Sequence, residues 1–144
     1  MSKLIIYIFL FLGTQLIAQE NRYTKGTENG YTWIEIGESN LLFDDSKSNY
    51  LSGMLERMRL ENQQIPELEN LICRKEFYLL LIDEKSDVIS MDDMVDAINQ
   101  FYGNNENLMI PILLAYCYCI KFFSGVDDEQ LEMYRWQLLE FSRE

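Results

Sequence analysis

The stretch from Ile89 to Gly125, ISMDDMVDAINQFYGNNENLMIPILLAYCYCIKFFSG, decides the fold of this chain. Its first half predicts an amphipathic helix, since Ser90 is a good N-cap and apolar residues recur every three or four positions up to Tyr102. Gly103 stands where a helix-ending residue of positive φ is expected. The polar residues 103–107 then predict a corner.

The second half predicts a buried helix. Pro111 suits the first turn, because its missing N–H would have no partner there. Residues 108–123 are apolar on almost every side, which is typical of a central helix or a membrane span. A run of this length is too short for a bilayer, which needs about 20 apolar residues. We therefore expect this segment at the dry centre of a small bundle, ending at Gly125.

The N-terminus has the pattern of a secretory signal peptide. Lys3 gives a positive start, residues 4–12 are apolar, and Ala18-Gln19 offers a cleavage point. We assign residues 1–19 to the signal peptide, with an uncleaved anchor as the alternative, and predict a periplasmic or secreted protein with no stable membrane span after cleavage. The whole chain has 12 basic and 24 acidic residues; without residues 1–19, which hold Lys3 and no acid, 11 basic and 24 acidic residues leave a charge of −13.

The remaining segments complete the predicted domain plan. Residues 20–45 are expected to form a mobile arm and then a short strand or extended strap, with residues 46–144 as the helical domain. Within it, Gly53 on an apolar helical stripe suggests close approach of another helix. Pro66 opens a further helix, and residues 77–82 fit a buried strand or a helix equally well. The predicted fold is all-α, an orthogonal bundle of four or five helices.

The three cysteines leave two alternatives open. Cys117 and Cys119 are two apart on a helix and cannot pair with each other. An exported protein could join Cys73 to either of them. The alternative is three buried thiols, which the apolar surroundings of Cys117 and Cys119 favour slightly.

Four short motifs carry a resemblance to known proteins. They are Asn29-Gly30-Tyr31-x-Trp33, Tyr50-Leu51-Ser52-Gly53, Met94-Val95-Asp96-x-Ile98-Asn99-x-Phe101-Tyr102 and Asn107-x-x-Ile110-Pro111-Ile112. Together they resemble a group of small exported bacterial proteins of unknown function. The layout of the chain is also similar, more loosely, to that of the Tai family of type VI secretion immunity proteins. The resemblance implies a small helical domain behind a signal peptide, with no catalytic residue to transfer. The Tai pattern also has a disulfide between a cysteine near the middle and one near the end of the chain, whereas the cysteines here stand elsewhere.

Several catalytic designs are excluded by composition. The chain has no histidine, so neither a histidine-activated nucleophile nor a histidine-based zinc site can be built. The acidic residues from Asp83 to Asp96 do not match the spacing of an EF-hand calcium loop, so we expect no metal and no cofactor. A glycan hydrolase would need two paired carboxylates, and nothing in the sequence pairs the candidates Glu35, Glu56 and Asp96. We predict that the protein is not an enzyme.

The leading prediction is an exported interaction protein that binds a basic partner and no nucleic acid, and its leading specific form is an inhibitor of immunity type. The residues expected to bind the partner are Asp83, Glu84, Asp87, Asp92 and Asp93. The alternative is a small-molecule or peptide-binding module with a groove at Tyr102 and Tyr116. Other aromatic residues that could line such a groove are Tyr118, Phe101, Phe122 and Phe123.

Overall fold

The computed structural model describes residues 21–38, 45–61, 73 and 89–144. Within them the chain forms two short strands and five α-helices. They are β1 (Tyr23–Thr24), β2 (Thr27–Glu28), α1 (Gly30–Glu38), α2 (Ser46–Glu61), α3 (Met91–Tyr102), α4 (Ile112–Phe123) and α5 (Asp128–Arg143), with a 3-10 turn at Asn105–Met109. The all-α bundle is therefore confirmed. The signal peptide, the helix expected at Pro66, residues 77–82 and the acidic loop 83–87 lie outside the described residues.

The predicted central segment is the core of the bundle. Helix α4 packs between α3 and α5, and Leu114 and Cys117 on it are fully buried. Its dry part ends near Ile120, because Phe122 is 55% exposed and Phe123 is 36% exposed. The central position follows from composition, since an apolar helix that is too short for a membrane is stable only when other helices cover it.

The ends of the helices follow the predicted local rules with one exception. Ser90 and Asp93 form a reciprocal capping box on α3, and Asp127 caps α5 by accepting from the backbone N–H of Gln130. Gly125 has the left-handed φ of 74° that ends α4. Gly103 does not: its φ is −60°, because the chain turns directly from α3 into the 3-10 turn. The positive φ expected at Gly103 was wrong.

The N-terminal region differs from its prediction. Residues 31–36, expected as a strand or strap, lie in α1, and Trp33 reaches the core with 0% exposure. Asn29 starts this helix, since its side-chain oxygen accepts the backbone N–H of Tyr31 at 3.1 Å. A run of six residues is too short for its apolar pattern to separate a strand from a helix. The cap formed by Asn29 favours the helix.

Residues 21–29, expected to be a mobile arm, form a hairpin that is bonded to the bundle. The β1 and β2 strands pair antiparallel. The hydroxyl of Thr24 donates to the carbonyl of Met109 at 2.6 Å, and Asn29 is bridged to Pro111. The Asn29 side-chain amide is fully buried and donates to Thr24 Oγ1 at 3.0 Å. These buried polar contacts join the hairpin to the start of α4.

Two further expectations are corrected by packing. No described residue lies within 4 Å of a Cβ added at Gly53, so none of the helices described here makes the close approach expected there. Cys73 and Cys117 form a disulfide across a separation of 44 residues, so the interpretation as three thiols was wrong. Cys119 is the buried free thiol. Residue type and spacing could not show which cysteine of α4 faces residue 73.

Candidate functional site

The predicted acidic site lies only partly within the described residues. Asp83, Glu84 and Asp87 are outside them, whereas Asp92 and Asp93 are exposed in the first turn of α3. Asp93 accepts the backbone N–H of Ser90 at 3.0 Å and the Ser90 hydroxyl at 2.6 Å. These two hydrogen bonds lower the pKa of the Asp93 carboxyl. Asp93 therefore serves the helix cap. Asp92 is exposed, and its Oδ1 accepts a long hydrogen bond from the hydroxyl of Ser48 at 3.4 Å.

Most of the described lysine and arginine side chains make polar or cation–π contacts with other residues of the chain. Each of the following contacts a carboxylate, an amide or an aromatic ring: Arg22 with Glu35 at 2.5 Å, Lys25 over Phe141 at 4.3 Å, Lys47 with Asn99 at 2.6 Å and over Trp33 at 5.1 Å, and Lys121 over Tyr134 at 5.0 Å. The acids at the starts of α3 and α5, by contrast, are exposed. An approaching molecule therefore meets exposed carboxylates at the starts of α3 and α5, on a chain whose net charge is −12.

Tyr102 and Tyr116 do not line an open groove. Their rings are only 3% and 2% exposed, and the hydroxyl of Tyr102 donates to the carbonyl of Ile110 at 2.8 Å. Burial raises the pKa of Tyr102 and raises that of Tyr116 to about 12. Both phenols are therefore neutral core groups at physiological pH.

An open groove of about 370 Å³ lies beside these two tyrosines, between α3, α4 and α5. Its aromatic lining consists of three residues that the sequence named as groove candidates: Phe101, Tyr118 and Phe122. The rest of its lining is Ala97, Gln100, Asn104, Asn107, Glu132 and Arg135. The volume lies within the range of about 300–1,000 Å³ that is usual for ligand pockets. The aromatic face was thus predicted, but it is Tyr118 and not Tyr116 that faces this groove.

Arg135 forms the polar end of the groove. Its Nε donates to Oδ1 of Asn107 at 2.9 Å, and its terminal nitrogens donate to Glu132 at 2.8 Å and to Glu106 at 2.9 Å. The Asn107 amide nitrogen in turn donates to the carbonyl of Phe101 at 2.7 Å. This network ties α5 to the corner after α3.

Sequence reasoning missed Arg135, although a signal was present. The residue stands on the apolar stripe of α5, four positions after Leu131 and three before Leu138. A charged residue in a core-facing position requires partners, because burying an unpaired charge is costly. Its partners, Asn107 and Glu106, lie 28 and 29 residues earlier, so only the fold reveals them.

The candidate carboxylates for glycan hydrolysis are not brought together in the described part of the chain. Glu35 is paired with Arg22, and Glu56 and Asp96 are exposed on α2 and α3. None of the three lines the groove. Glu132 is the acid on the described lining, and it and the neighbouring Glu106 are both paired with the guanidinium of Arg135.

No group of three or more potential metal ligands occurs within the described residues. Among the same residues no helix is both long and apolar enough to cross a membrane. Comparison with known proteins gives no match: no family model, no curated protein and no solved structure is similar to this chain.

Proposed function

We propose that this protein is an exported, non-enzymatic binding protein that takes a basic protein partner through its acidic surface. One observation carries the proposal: the described lysines and the buried arginine contact groups of their own chain, while the side chains of Asp92, Asp128 and Glu129 in the first turns of α3 and α5 are exposed. Such a surface attracts positively charged partners and repels nucleic acid. The pattern predicted from the leader sequence adds a periplasmic or extracellular place of action.

The immunity-type role belongs to the same proposal. An inhibitor of a toxin or cell-wall enzyme needs an exposed complementary surface and no reactive group of its own. The loose similarity of layout to the Tai family, over about residues 29–125, supports this role. The disulfide between Cys73 and Cys117 fits an exported protein. The partner would be an enzyme whose active-site groove carries lysine or arginine residues.

The test is retention of partner proteins from a periplasmic extract by the immobilised full chain at about 0.05 M and 0.5 M salt. We expect a basic protein to bind at low salt and to be released at high salt, because exposed charges are screened. The Asp92→Asn/Asp96→Asn variant should retain less of it. The Glu38→Gln/Glu140→Gln variant, with the same change in net charge on other helices, is the control. Absence of any retained protein at low salt would reject the proposal.

A further inference from the structure

We propose that the groove lined by Phe101, Tyr118 and Phe122 binds a lysine or arginine side chain of the partner, with its stem on the rings and its charged end at Glu132. This inference rests on the proposed function, since it names the part of a basic partner that one site takes. The occupant is chosen by the shape of the groove and by the charges around it.

The shape suits an extended side chain with an apolar stem. The rings of Phe101 and Tyr118 lie with their centroids 4.7 Å apart. Phe122 is 55% exposed at the rim, although α4 is otherwise the most buried helix described. Ala97, which also lines the groove, leaves room beside these rings because its side chain ends at Cβ. Lysine and arginine stems cover such aromatic surface well while their charged ends stay near water.

The charges favour a cation over an anion. Among the described residues of the lining, Arg135 is the only positive group, and it already donates to Asn107, Glu106 and Glu132. An anion entering the groove would meet two carboxylates beside this guanidinium. Burial and then the nearby charge of Glu132 raise the pKa of Tyr118, and Asp128 acts in the same direction. The carboxylates of Glu132 and Asp128 and the guanidinium of Arg135 thus act on the phenol, a local charge of −1.

The ring faces add to this preference. A cation within about 6 Å of an aromatic centroid is attracted by the negative face of the ring. The chain uses this contact for its own lysines, as with Lys121 over Tyr134 at 5.0 Å. The partner's ammonium or guanidinium group would lie between the Phe122 ring and the Glu132 carboxylate, which is half exposed and can accept a further hydrogen bond.

The experiment titrates the isotope-labelled full chain with three small probes and follows backbone and arginine Nε shifts by NMR. The probes are the blocked amides of lysine, of arginine and of norleucine, which has the lysine stem without the charge. We expect the two cationic probes to shift Tyr118, Phe122 and Arg135 selectively and to bind at least about threefold tighter than norleucine amide. A roughly threefold difference in affinity is what one exposed cation–π contact contributes.

Two variants localise the effect. Phe122→Ala should weaken binding of the lysine probe about two- to fivefold, since one ring contact is lost. Trp136→Ala removes an aromatic side chain of nearly the same exposure, 54% against 55%, that lies outside the groove, and should leave binding unchanged. Because both side chains are exposed, neither variant should unfold the protein.

The outcomes separate the groove from the broader proposal. The inference is overturned if the shifts spread over the acidic surface, if norleucine amide binds as well as lysine amide, or if Phe122→Ala binds like the parent chain. If a basic protein is still retained from the extract in that case, the proposed function stands and only this site is lost. If nothing basic binds in either experiment, both proposals fail.

Discussion

Two glycines should respond in opposite ways to the same change. A Cβ added at Gly30, the first residue of α1, would lie 2.6 Å from two ring carbons of Tyr102 and 2.9 Å from Cα of Leu108. Neither neighbour can easily move. The Tyr102 ring is buried and its hydroxyl is bonded to Ile110, and the Leu108 atom belongs to the backbone. At Gly53, inside α2, an added Cβ meets no atom of the described residues within 4 Å.

The magnitudes follow from overpacking and helix propensity. Forcing a methyl group into a packed site costs about 1–3 kcal/mol, so Gly30→Ala should lower the free energy of unfolding by about that amount. Gly53→Ala should raise it by about 0.5–1 kcal/mol, because alanine loses less backbone entropy than glycine in a helix. The assay is urea unfolding at neutral pH with the disulfide intact, and each substitution serves as the control for the other.

The result that would refute this reasoning is a change of the same sign in both variants. A double-mutant cycle gives a second test of the contact. If the Tyr102 ring opposes the new methyl group, Gly30→Ala should cost less in a Tyr102→Leu background than in the parent chain. Equal cost in the two backgrounds would show that the ring does not oppose the methyl group.

Three further predictions concern the polar and sulfur groups. Arg135→Met should lower the free energy of unfolding, measured in urea, by about 2–3 kcal/mol, because it leaves the buried Asn107 oxygen without its donor. The same substitution at the exposed Arg143 of α5 should cost under about 0.5 kcal/mol. Equal costs at the two positions would contradict a stabilising role for the hydrogen bonds of Arg135. The Cys119 thiol, whose pKa burial raises to about 12, should resist alkylation at pH 8 in the folded protein and react in urea; rapid labelling of the folded protein would refute its burial. Ser90→Ala should raise the pKa of Asp93 toward its ordinary value in an NMR titration. Because folding lowers the pKa of Asp93, the stabilisation from this cap is fully present above the Asp93 pKa of the unfolded chain. It is lost as the pH falls through the Asp93 pKa of the folded protein. An unchanged Asp93 pKa in the Ser90→Ala variant would refute the cap as the cause of the lowered pKa.

Local sequence signals determined the parts of the structure that depend on neighbours in the chain. The cap at Ser90, the start of α5 at Asp127 and the end of α4 at Gly125 follow from hydrogen bonds and backbone angles within a few residues. The burial of α4 also followed, since its composition allows only a central place. Trp136 lies off the apolar stripe of α5 and is 54% exposed, as its place in that local pattern indicates.

Only the tertiary structure decided how distant groups meet. It joined Cys73 to Cys117 and not to Cys119, and it placed Asn107 and Glu106 at the guanidinium of Arg135. It also turned Tyr118 toward the groove and Tyr116 into the core, although both are aromatic residues of one apolar helix. The physical reason is that a helix apolar on every side carries no sequence signal for direction. Which face meets which neighbour is fixed by the helices packed around it.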